Sequence, residues 1–349
     1  MSDFHSLRVS SVQQLTLNAV AISFSIPENL KDAFSFSAGQ YVTISKEING
    51  VELRRAYSIS SMPASGKITV GIKKVTDGVF SVYANEIIKT GDILEVMEPE
   101  GRFVFEPTNS AKHIGAFAAG SGITPIMSIA ETVLKGHLNS TFVLVYGNQN
   151  THEAMFSKEI EALKKQYVNR FFVQNVYSRE KEEGALFGRI EASTVNFIVK
   201  NKFKDTSFDA FYLCGPEEMI DLVSVTLQEA GTSKDKIFFE LFTTSETVDT
   251  MAQELEGKTQ IEVVVDDETF TFIMDKKMLV LDAVLKQKID APYSCQGGVC
   301  SSCIARIKEG KAEMVKNQIL TDGEIADGLI LTCQAHPLTA TLKVDYDDV

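Results

Sequence analysis

Four cysteines in the last part of the sequence have a spacing that suits an inorganic cluster. Cys295, Cys300 and Cys303 form a C-x4-C-x2-C run, and Cys333 follows after 29 intervening residues. This is a ligand spacing of 2Fe–2S clusters, in which four thiolates bind two irons. The loop 296–299 contains two glycines, so its backbone N–H groups can approach the cluster sulfur. Zinc is the alternative, but zinc sites favour paired C-x2-C knuckles and here only one such pair occurs.

A glycine-containing turn between a predicted strand and a predicted helix could bind phosphate. It comprises Gly120, Ser121 and Gly122, followed by Thr124 as the predicted N-cap and Pro125 as the predicted first helical residue. Glycines allow close backbone approach, and a helix start favours an anion. The turn departs from the G-x-G-x-x-G fingerprint because Pro125 replaces the last glycine, so a plain tight turn is the alternative.

Cys214, Gly215 and Pro216 end another strand of the same predicted sheet. Ligands bind outside the carboxyl ends of parallel strands, so Gly120 and Cys214 are expected to face one crevice. Without those neighbours, Cys214 would be interpreted as a small buried core residue.

Two segments of the first hundred residues could bind a flavin nucleotide. Arg55, Tyr57 and Ser58 lie on a predicted strand, where the guanidinium can meet a pyrophosphate and the ring can stack. A half-buried strand explains this pattern equally well. The segment 77–81 precedes a predicted short helix at 82–88 whose first N–H groups could bind phosphate. The alternative is a simple Asp-Gly turn.

The elements that must position these residues fall into three regions. Short alternating runs from Leu7 to Phe105 predict a small antiparallel barrel or sandwich. Alternating strands and helices from Lys112 predict a parallel doubly wound sheet. A polar linker and a compact α+β region follow, with a predicted hairpin around Asp266 and Asp267. The predicted domains are 1–107, 108–244 and 259–349, with a linker at 245–258.

Composition narrows the class of protein. Of 349 residues, 44% are hydrophobic and 23% are charged, which excludes disordered and fibrous chains. The net charge of −13 argues against nucleic acid or an anionic membrane as partner. No apolar run approaches the roughly 20 residues that span a bilayer, and the first residues lack an export signal. Free cysteines gathered near one end argue against a disulfide framework. We therefore expect a cytoplasmic protein.

Four motifs together resemble the ferredoxin–NADP reductase superfamily, over about residues 7–242. They are Arg55–Ser58, Gly78–Ser81, Gly120–Pro125 and 214–216. The segment from about residue 258 resembles the plant-type ferredoxin domain. The resemblance implies a flavin barrel, an α/β nicotinamide domain and a β-grasp ferredoxin domain. It also implies that Ser58 approaches flavin N5, that Cys214 approaches nicotinamide C4, and that Phe242 covers the flavin.

The pair Ser178 and Arg179 resembles the residues that hold the 2′-phosphate of NADPH in this family, and a guanidinium does fork onto phosphate. The alternative is a solvated arginine in a charged loop, with NADH as the donor. The candidate catalytic residues are Ser58 and Cys214. The candidate cofactor-binding residues are Arg55, Tyr57, Ser58, Ile59, Ile72, Lys73, Gly78, Val79, Phe80, Ser81, Gly120, Ser121, Gly122, Thr124, Pro125, Ser178, Arg179, Cys214, Gly215, Pro216 and Phe242.

Three sites on one chain predict an electron-transfer route from NADPH through FAD and the 2Fe–2S cluster to an external protein acceptor. Hydride carries two electrons and the cluster accepts one, so a flavin belongs between them. The domain order looks like the reductases that serve phenylacetyl-CoA epoxidase in phenylacetate degradation and other multicomponent oxygenases. The alternatives are a reductase for another mono- or dioxygenase, or a non-catalytic interaction protein that holds structural zinc.

Overall fold

The computed structural model describes residues 4–242 and 251–349, which form two compact units. One unit consists of residues 4–53 and 57–242, and the other is built mainly from residues 251–349. Residues 245–250 of the predicted linker lie outside the described residues. Across the described parts of the chain, no helix has both the length and the apolar character needed to traverse a bilayer.

The first region is an antiparallel six-stranded barrel, as the alternating runs predict. Its elements are β1 (Phe4–Thr16), β2 (Ala19–Ser25), β3 (Tyr41–Ile48), β4 (Val51–Ser58), β5 (Lys67–Lys73), α1 (Val79–Glu86) and β6 (Ile93–Met97). The strand order is β4-β3-β6-β1-β2-β5, and a bridge between Ile59 and Val70 joins the two ends of the sheet. Alternate residues of β2, such as Ile22 and Phe24, fill the barrel core.

The second region is a parallel six-stranded sheet flanked by helices, which confirms the α/β prediction. Its elements are β7 (His113–Ala119), α2 (Ile123–Gly136), β8 (Thr141–Asn148), α3 (Ser157–Gln166), β9 (Phe171–Tyr177), β10 (Leu186–Phe187), α4 (Ala192–Asn196), β11 (Ala210–Gly215), α5 (Glu217–Glu229) and β12 (Ile237–Leu241). The strand order is β10-β9-β8-β7-β11-β12. The order reverses between β7 and β11, which is where such sheets bind ligands.

Two predicted helix starts are wrong. Helix α2 begins at Ile123 because the tight turn Gly120–Gly122 runs directly into it, so Thr124 is not its N-cap. Pro125 still falls in the first turn, where backbone N–H groups have no partner within the helix. Helix α1 begins at Val79 rather than at residue 82, because Gly78 occupies the N-cap position.

The third region is an α+β domain with a five-stranded mixed sheet. Its elements are α6 (Met251–Glu254), β13 (Lys258–Val265), β14 (Glu268–Asp275), α7 (Val280–Lys286), β15 (Ile304–Glu309), β16 (Ala312–Met314), α8 (Asp322–Ala326), β17 (Leu329–Leu331), β18 (Ala335–Pro337) and β19 (Thr341–Asp345). The strand order is β14-β13-β19-β15-β17, and β16 pairs separately with β18. The predicted hairpin is confirmed, and the Asp347 carboxylate accepts the backbone N–H groups of Asp266 and Asp267 at its turn.

The barrel and the parallel sheet pack closely within their unit. A Cβ atom on Gly71 of β5 would lie 2.8 Å from the methyl carbon of Thr124 and 2.9 Å from the Phe156 ring. Only glycine leaves space for this approach. On the same side of the barrel, the Ser128 hydroxyl of α2 donates to the carbonyl oxygen of Ser61 at 2.7 Å. Because both contacts hold α2 on the barrel, the start of α2 is fixed against the barrel strands.

Glu153 adds a partly buried ion pair to this packing. Its carboxylate lies 2.9 Å from the Lys73 ammonium of β5 and accepts a hydrogen bond from the Asn18 side chain at 3.2 Å. The hydrogen bond from Lys73 lowers the pKa of Glu153. A carboxyl group with a lowered pKa in the folded state stabilises the fold above its unfolded pKa and loses that contribution as the pH falls.

We expect Glu153→Gln to reduce the free energy of unfolding by about 0.5–1 kcal/mol at pH 7. The difference from the wild type should shrink as the pH falls through the lowered pKa of Glu153, which lies below 4.5. Thermal melting of the full chain between pH 3.5 and 7 measures this. Glu161→Gln, which removes an exposed pair with Lys164 on α3, is the matched control and should not change Tm. A constant difference across this pH range would contradict the assignment.

Candidate functional site

The backbones of the loop after β7 and the end of β11 meet at the point where the strand order reverses. A Cβ atom on Gly122 would lie 2.1 Å from the carbonyl oxygen of Cys214, so this position requires glycine. A Cβ atom on Gly215 would lie 2.8 Å from the Met219 side chain and 3.1 Å from the Cβ atom of Ala119. The structure therefore brings Gly120–Gly122 and Cys214 to one edge of the sheet.

Ser58, Cys214 and Glu240 come together at this edge. Cys214 of β11 pairs in register with Glu240 of β12, so the two residues are neighbours across the sheet. The Ser58 hydroxyl, at the end of barrel strand β4, donates to Glu240 Oε2 at 2.9 Å. A hydroxyl, a thiol and a carboxyl group thus meet where the barrel packs on the parallel sheet.

Removal from water shifts the pKa of both acidic groups in this set. Burial raises the pKa of the Glu240 carboxyl to about 8, although the hydrogen bond from Ser58 partly opposes the shift. Burial also raises the pKa of the Cys214 thiol, and the nearby Glu240 carboxyl raises it further. Both shifts favour the protonated forms of Glu240 and Cys214.

Sequence reasoning missed Glu240. It lies in the segment that the resemblance used for Phe242, but a single carboxyl group in a strand has no periodic pattern that marks it. The available signal was its place near the end of the last parallel strand, beside Cys214. Phe242 itself is half-buried and packs against the core cluster that contains Cys214.

The predicted flavin residues include positions on β4 and at the start of α1. Tyr57 is half-buried, with its ring centroid 5.7 Å from that of Phe80 at the start of α1. Arg55 is exposed on β4. Gly78 has no side chain to cap α1, and a Cβ atom there would lie 2.5 Å from Ser81 Oγ. A bare helix start of this kind suits a phosphate group.

The side chains of three further predicted flavin residues are already engaged with other protein groups. Ile59 and Ile72 are fully buried in the barrel core, and Lys73 pairs with Glu153. The side chains of the two isoleucines face protein, so contact with a cofactor would be through their backbone. Val79 is exposed, whereas Ser81 is buried and accepts the N–H of Val75.

The predicted nicotinamide residues cluster at the start of α2. The Thr124 hydroxyl donates to the carbonyl oxygen of Ser121 at 3.0 Å, and Pro125 is buried. The Tyr146 hydroxyl donates to the carbonyl oxygen of Gly120 at 3.1 Å, which fixes the turn in its left-handed conformation (φ 54°). Pro216 is exposed at the start of α5.

Ser178 and Arg179 directly follow β9, at the same carboxyl edge of the sheet. Their N–H groups donate to the carbonyl oxygens of Asn148 and Gln149, at 3.0 and 2.8 Å. These bonds fix the backbone of the loop, while the Arg179 side chain is exposed. An exposed guanidinium on a fixed backbone is free to meet a ligand phosphate.

The four predicted cluster ligands converge in the C-terminal unit. The Cys295 sulfur neighbours the thiols of Cys300 and Cys333, and the Cys303 sulfur neighbours that of Cys333. The Gly297 N–H also donates to Cys295 Sγ, at 3.3 Å. The neighbouring thiols of Cys300 and Cys333 lower the pKa of the Cys295 thiol, which favours its thiolate form.

The sulfur atoms are linked as neighbouring pairs. Over residues 4–242 and 251–349, no three His, Cys, Asp or Glu side chains close around a single metal ion. A binuclear cluster takes two cysteine sulfurs to each iron and spreads the four ligands over a larger volume. Four free thiols, with the Gly297 N–H beside Cys295, are the kind of donor set that a 2Fe–2S cluster takes.

Three family models match the chain. The "Oxidoreductase FAD-binding domain" matches residues 6–105, the "Oxidoreductase NAD-binding domain" matches 117–224, and the "2Fe-2S iron-sulfur cluster binding domain" matches 263–338. The predicted FAD-binding, NAD-binding and 2Fe–2S-binding domains are therefore confirmed. The chain is an oxidoreductase, and the alternative of a non-catalytic zinc-binding protein is set aside.

Similar proteins align over nearly the whole chain. One of the subunits of 1,2-phenylacetyl-CoA epoxidase from Escherichia coli (strain K12) is 36% identical, covering 99% of both chains. The ferredoxin reductase component of 3-ketosteroid-9-alpha-monooxygenase from Rhodococcus rhodochrous is 32% identical, covering 97% of this chain and 96% of the relative. The solved structure of phthalate dioxygenase reductase has the same fold, with a TM-score of 0.63 at 20% identity and 98% coverage of both chains.

We expect Glu240→Gln to remove a pH dependence of stability. Glu240 keeps its proton in the folded chain up to about pH 8, whereas the unfolded chain loses it near 4.5. As the pH rises between these two values, the unfolding free energy of the wild type should fall by up to about 1.4 kcal/mol per pH unit. The unfolding free energy of the variant should not show this fall.

Denaturation of the flavin-free chain at pH 5, 6.5 and 8 measures this difference. Glu218→Gln, at an exposed position of α5, is the control and should follow the wild type. Parallel pH profiles for the wild type and Glu240→Gln would show that Glu240 has an ordinary pKa.

Proposed function

We propose that this chain, which belongs to the ferredoxin–NADP reductase superfamily, is an NADPH-dependent reductase that supplies electrons to an oxygenase. We further propose that the oxygenase is a phenylacetyl-CoA epoxidase. The observation that carries the proposal is the meeting of Ser58, Cys214 and Glu240 at the nucleotide edge, on a chain that also gathers four cysteine sulfurs in its C-terminal unit.

The similarity to the phenylacetyl-CoA epoxidase subunit, at 36% identity over 99% of both chains, supports the choice of acceptor. A reductase for another multicomponent oxygenase is the second candidate, because a 3-ketosteroid monooxygenase component is also similar over nearly the whole chain. The five free cysteines support a reducing compartment, and we place the protein in the cytoplasm.

The barrel residues would hold FAD. Bound FAD can exchange electrons in pairs with a nicotinamide and singly with an iron–sulfur cluster, which is why a chain with both partners uses it. Arg55 and the bare start of α1 offer positive charge and N–H groups to its phosphates, and Tyr57 offers a ring for stacking. Ser58 presents a hydroxyl whose position is fixed by Glu240.

The sheet residues would bind and orient the nicotinamide nucleotide. The turn at Gly120–Gly122 brings bare backbone to the start of α2, which suits the pyrophosphate. Cys214 is fully buried beside the partly buried Glu240. Glu240 can hold a proton at its carboxyl oxygen near neutral pH because its pKa is about 8.

The four cysteines Cys295, Cys300, Cys303 and Cys333 would hold the 2Fe–2S cluster, which accepts single electrons. Hydrogen bonds from Gly297 and Val299 N–H groups to Cys295 would favour the thiolate. The acceptor would then be a protein that docks with its own redox centre close to the cluster.

The choice of NADPH depends on Arg179. Its guanidinium is exposed after β9, at the edge of the sheet where the nucleotide would lie, and it can form charge-assisted hydrogen bonds with a 2′-phosphate.

We expect Cys300→Ser to separate the two halves of the reaction. NADPH-driven reduction of a small dye should remain, since it requires only the flavin and nicotinamide sites. Oxidation of phenylacetyl-CoA in the presence of purified epoxidase oxygenase components should fall to background, since it requires the cluster. The wild type is the control for both assays.

Two outcomes would count against the proposal. If Cys300→Ser abolished dye reduction as well as electron supply to the oxygenase, the proposed division of work between the sites would be contradicted. The wild-type protein could also contain iron, sulfide and FAD and reduce the dye, yet fail to support epoxidase activity. That result would exclude phenylacetyl-CoA epoxidase as the acceptor and favour another oxygenase.

We expect Arg179→Ala to raise the KM for NADPH by about tenfold to a hundredfold, because a charge-assisted contact with phosphate is lost. The KM for NADH should hardly change, since NADH has no 2′-phosphate. Steady-state dye reduction with each nucleotide measures both values. Lys181→Ala removes the same charge two residues away and is the matched control. Equal losses with NADPH and NADH would contradict the role of Arg179.

A further inference from the structure

Gln334 connects the two segments that carry the cluster cysteines. It directly follows Cys333, and its side-chain amide donates to the carbonyl oxygen of Gln296 at 3.3 Å and to that of Cys333 at 2.8 Å. Gln296 belongs to the loop between Cys295 and Cys300. One side chain thus ties the segment of the fourth cysteine to the loop of the first three.

The peptide group between Gln296 and Gly297 is held from both ends. Its carbonyl oxygen accepts from Gln334, and its N–H donates to Cys295 Sγ at 3.3 Å. A peptide group is planar and trans, so its C=O and N–H point in opposite directions. A donor that fixes the carbonyl on one side therefore fixes the N–H toward the sulfur on the other.

The backbone at Gln296 needs such support. Its φ of 53° lies in the left-handed region, which residues other than glycine seldom adopt. A rotated peptide group would turn the carbonyl oxygen toward the Cys295 sulfur, and oxygen repels a thiolate. The hydrogen bond from Gln334 favours the observed orientation.

The loop also leaves room for the Gln334 side chain. A Cβ atom on Gly298 would lie 2.9 Å from Gln334 Cγ and 3.4 Å from its Cδ. Gly298 has a φ of 71°, so both the space and the backbone conformation suit glycine. The side chain of Gln334 therefore runs along the loop backbone, where its amide reaches the carbonyl oxygen of Gln296.

We propose that Gln334 is a positioning residue for the 2Fe–2S cluster, which orients the Gln296–Gly297 peptide N–H toward Cys295 and so raises the reduction potential. The inference rests on the proposed assignment of Cys295 and Cys333 as ligands. A hydrogen bond to a ligand sulfur stabilises the reduced cluster, because reduction adds negative charge. A donor on the carbonyl oxygen polarises the same peptide group and strengthens that bond.

The test compares Gln334→Met with the wild type. Methionine has nearly the size of glutamine but donates no hydrogen bond. The cluster is equilibrated anaerobically with a redox dye of known potential, and its reduced fraction is followed by visible absorption and electron paramagnetic resonance. We expect the ratio of reduced to oxidised cluster to fall about threefold to tenfold at fixed potential, where tenfold corresponds to about 59 mV for one electron.

Two further variants separate hydrogen bonding from packing. Gln334→Glu keeps the shape but places a carboxylate oxygen against the Gln296 carbonyl, so its reduced fraction should fall at least as far. Gln287→Met makes the same exchange at an exposed position after α7 and should match the wild type. The Gln334→Met chain could also keep its fold, as measured by circular dichroism, but lose iron to a chelator faster than the wild type. That result would also support the positioning role of Gln334.

Other results would overturn it. Gln334→Met with a full cluster and an unchanged reduced fraction would exclude the positioning role while leaving the proposed function intact. A Gln334→Met ferredoxin domain that unfolds would show that Gln334 acts through general packing. Wild-type protein without iron and acid-labile sulfide would overturn the proposed function together with this inference.

Discussion

The carboxyl group of Glu240 is the constraint on which the nucleotide-binding unit depends. Its oxygen accepts a hydrogen bond from Ser58 of the barrel, and its backbone lies beside Cys214 of the parallel sheet. The barrel supplies Ser58 and the sheet supplies Cys214 and Glu240, so the site exists only when barrel and sheet are packed together. The close approach of Gly71 to Thr124 and the bond from Ser128 to Ser61 maintain that packing.

The same logic of shared assembly applies to the cluster cysteines. Three sulfurs come from one loop and the fourth from a separate segment after β17, so neither segment completes the donor set. The thiols lie next to one another, and the Gly297 N–H donates to Cys295 Sγ. The donor set therefore depends on the fold that brings the two segments together.

Local patterns in the sequence were sufficient for the fold and for the cysteines. Alternation of apolar residues predicts the barrel strands, and the strand–helix alternation after Lys112 predicts the parallel sheet, because burial of one face imposes a period. The cysteine spacing is equally local, since three of the four ligands lie in one short loop. The domain boundaries and the individual cofactor contacts stay predictions.

What escaped prediction depends on contacts between distant parts of the chain. The partners Ser58 and Glu240 are separated by 182 residues, and no residue pattern encodes that meeting. The start of α2 escaped for a different reason, because Gly122 at its N-cap position offers no side-chain signal, whereas Thr124 two residues later does. Gln334 likewise acquires meaning only from its contact with Gln296.

The strand order of the C-terminal unit bears on how this unit is made. Strand β19 occupies the middle of the five-stranded sheet and pairs with both β13 and β15, yet all four cysteines precede it in the chain. The cysteines therefore leave the ribosome before the strand that joins the two halves of the sheet, and translation at about 5–20 residues per second prolongs that interval. The sheet that positions the cysteine segments is therefore complete only after β19 has been made.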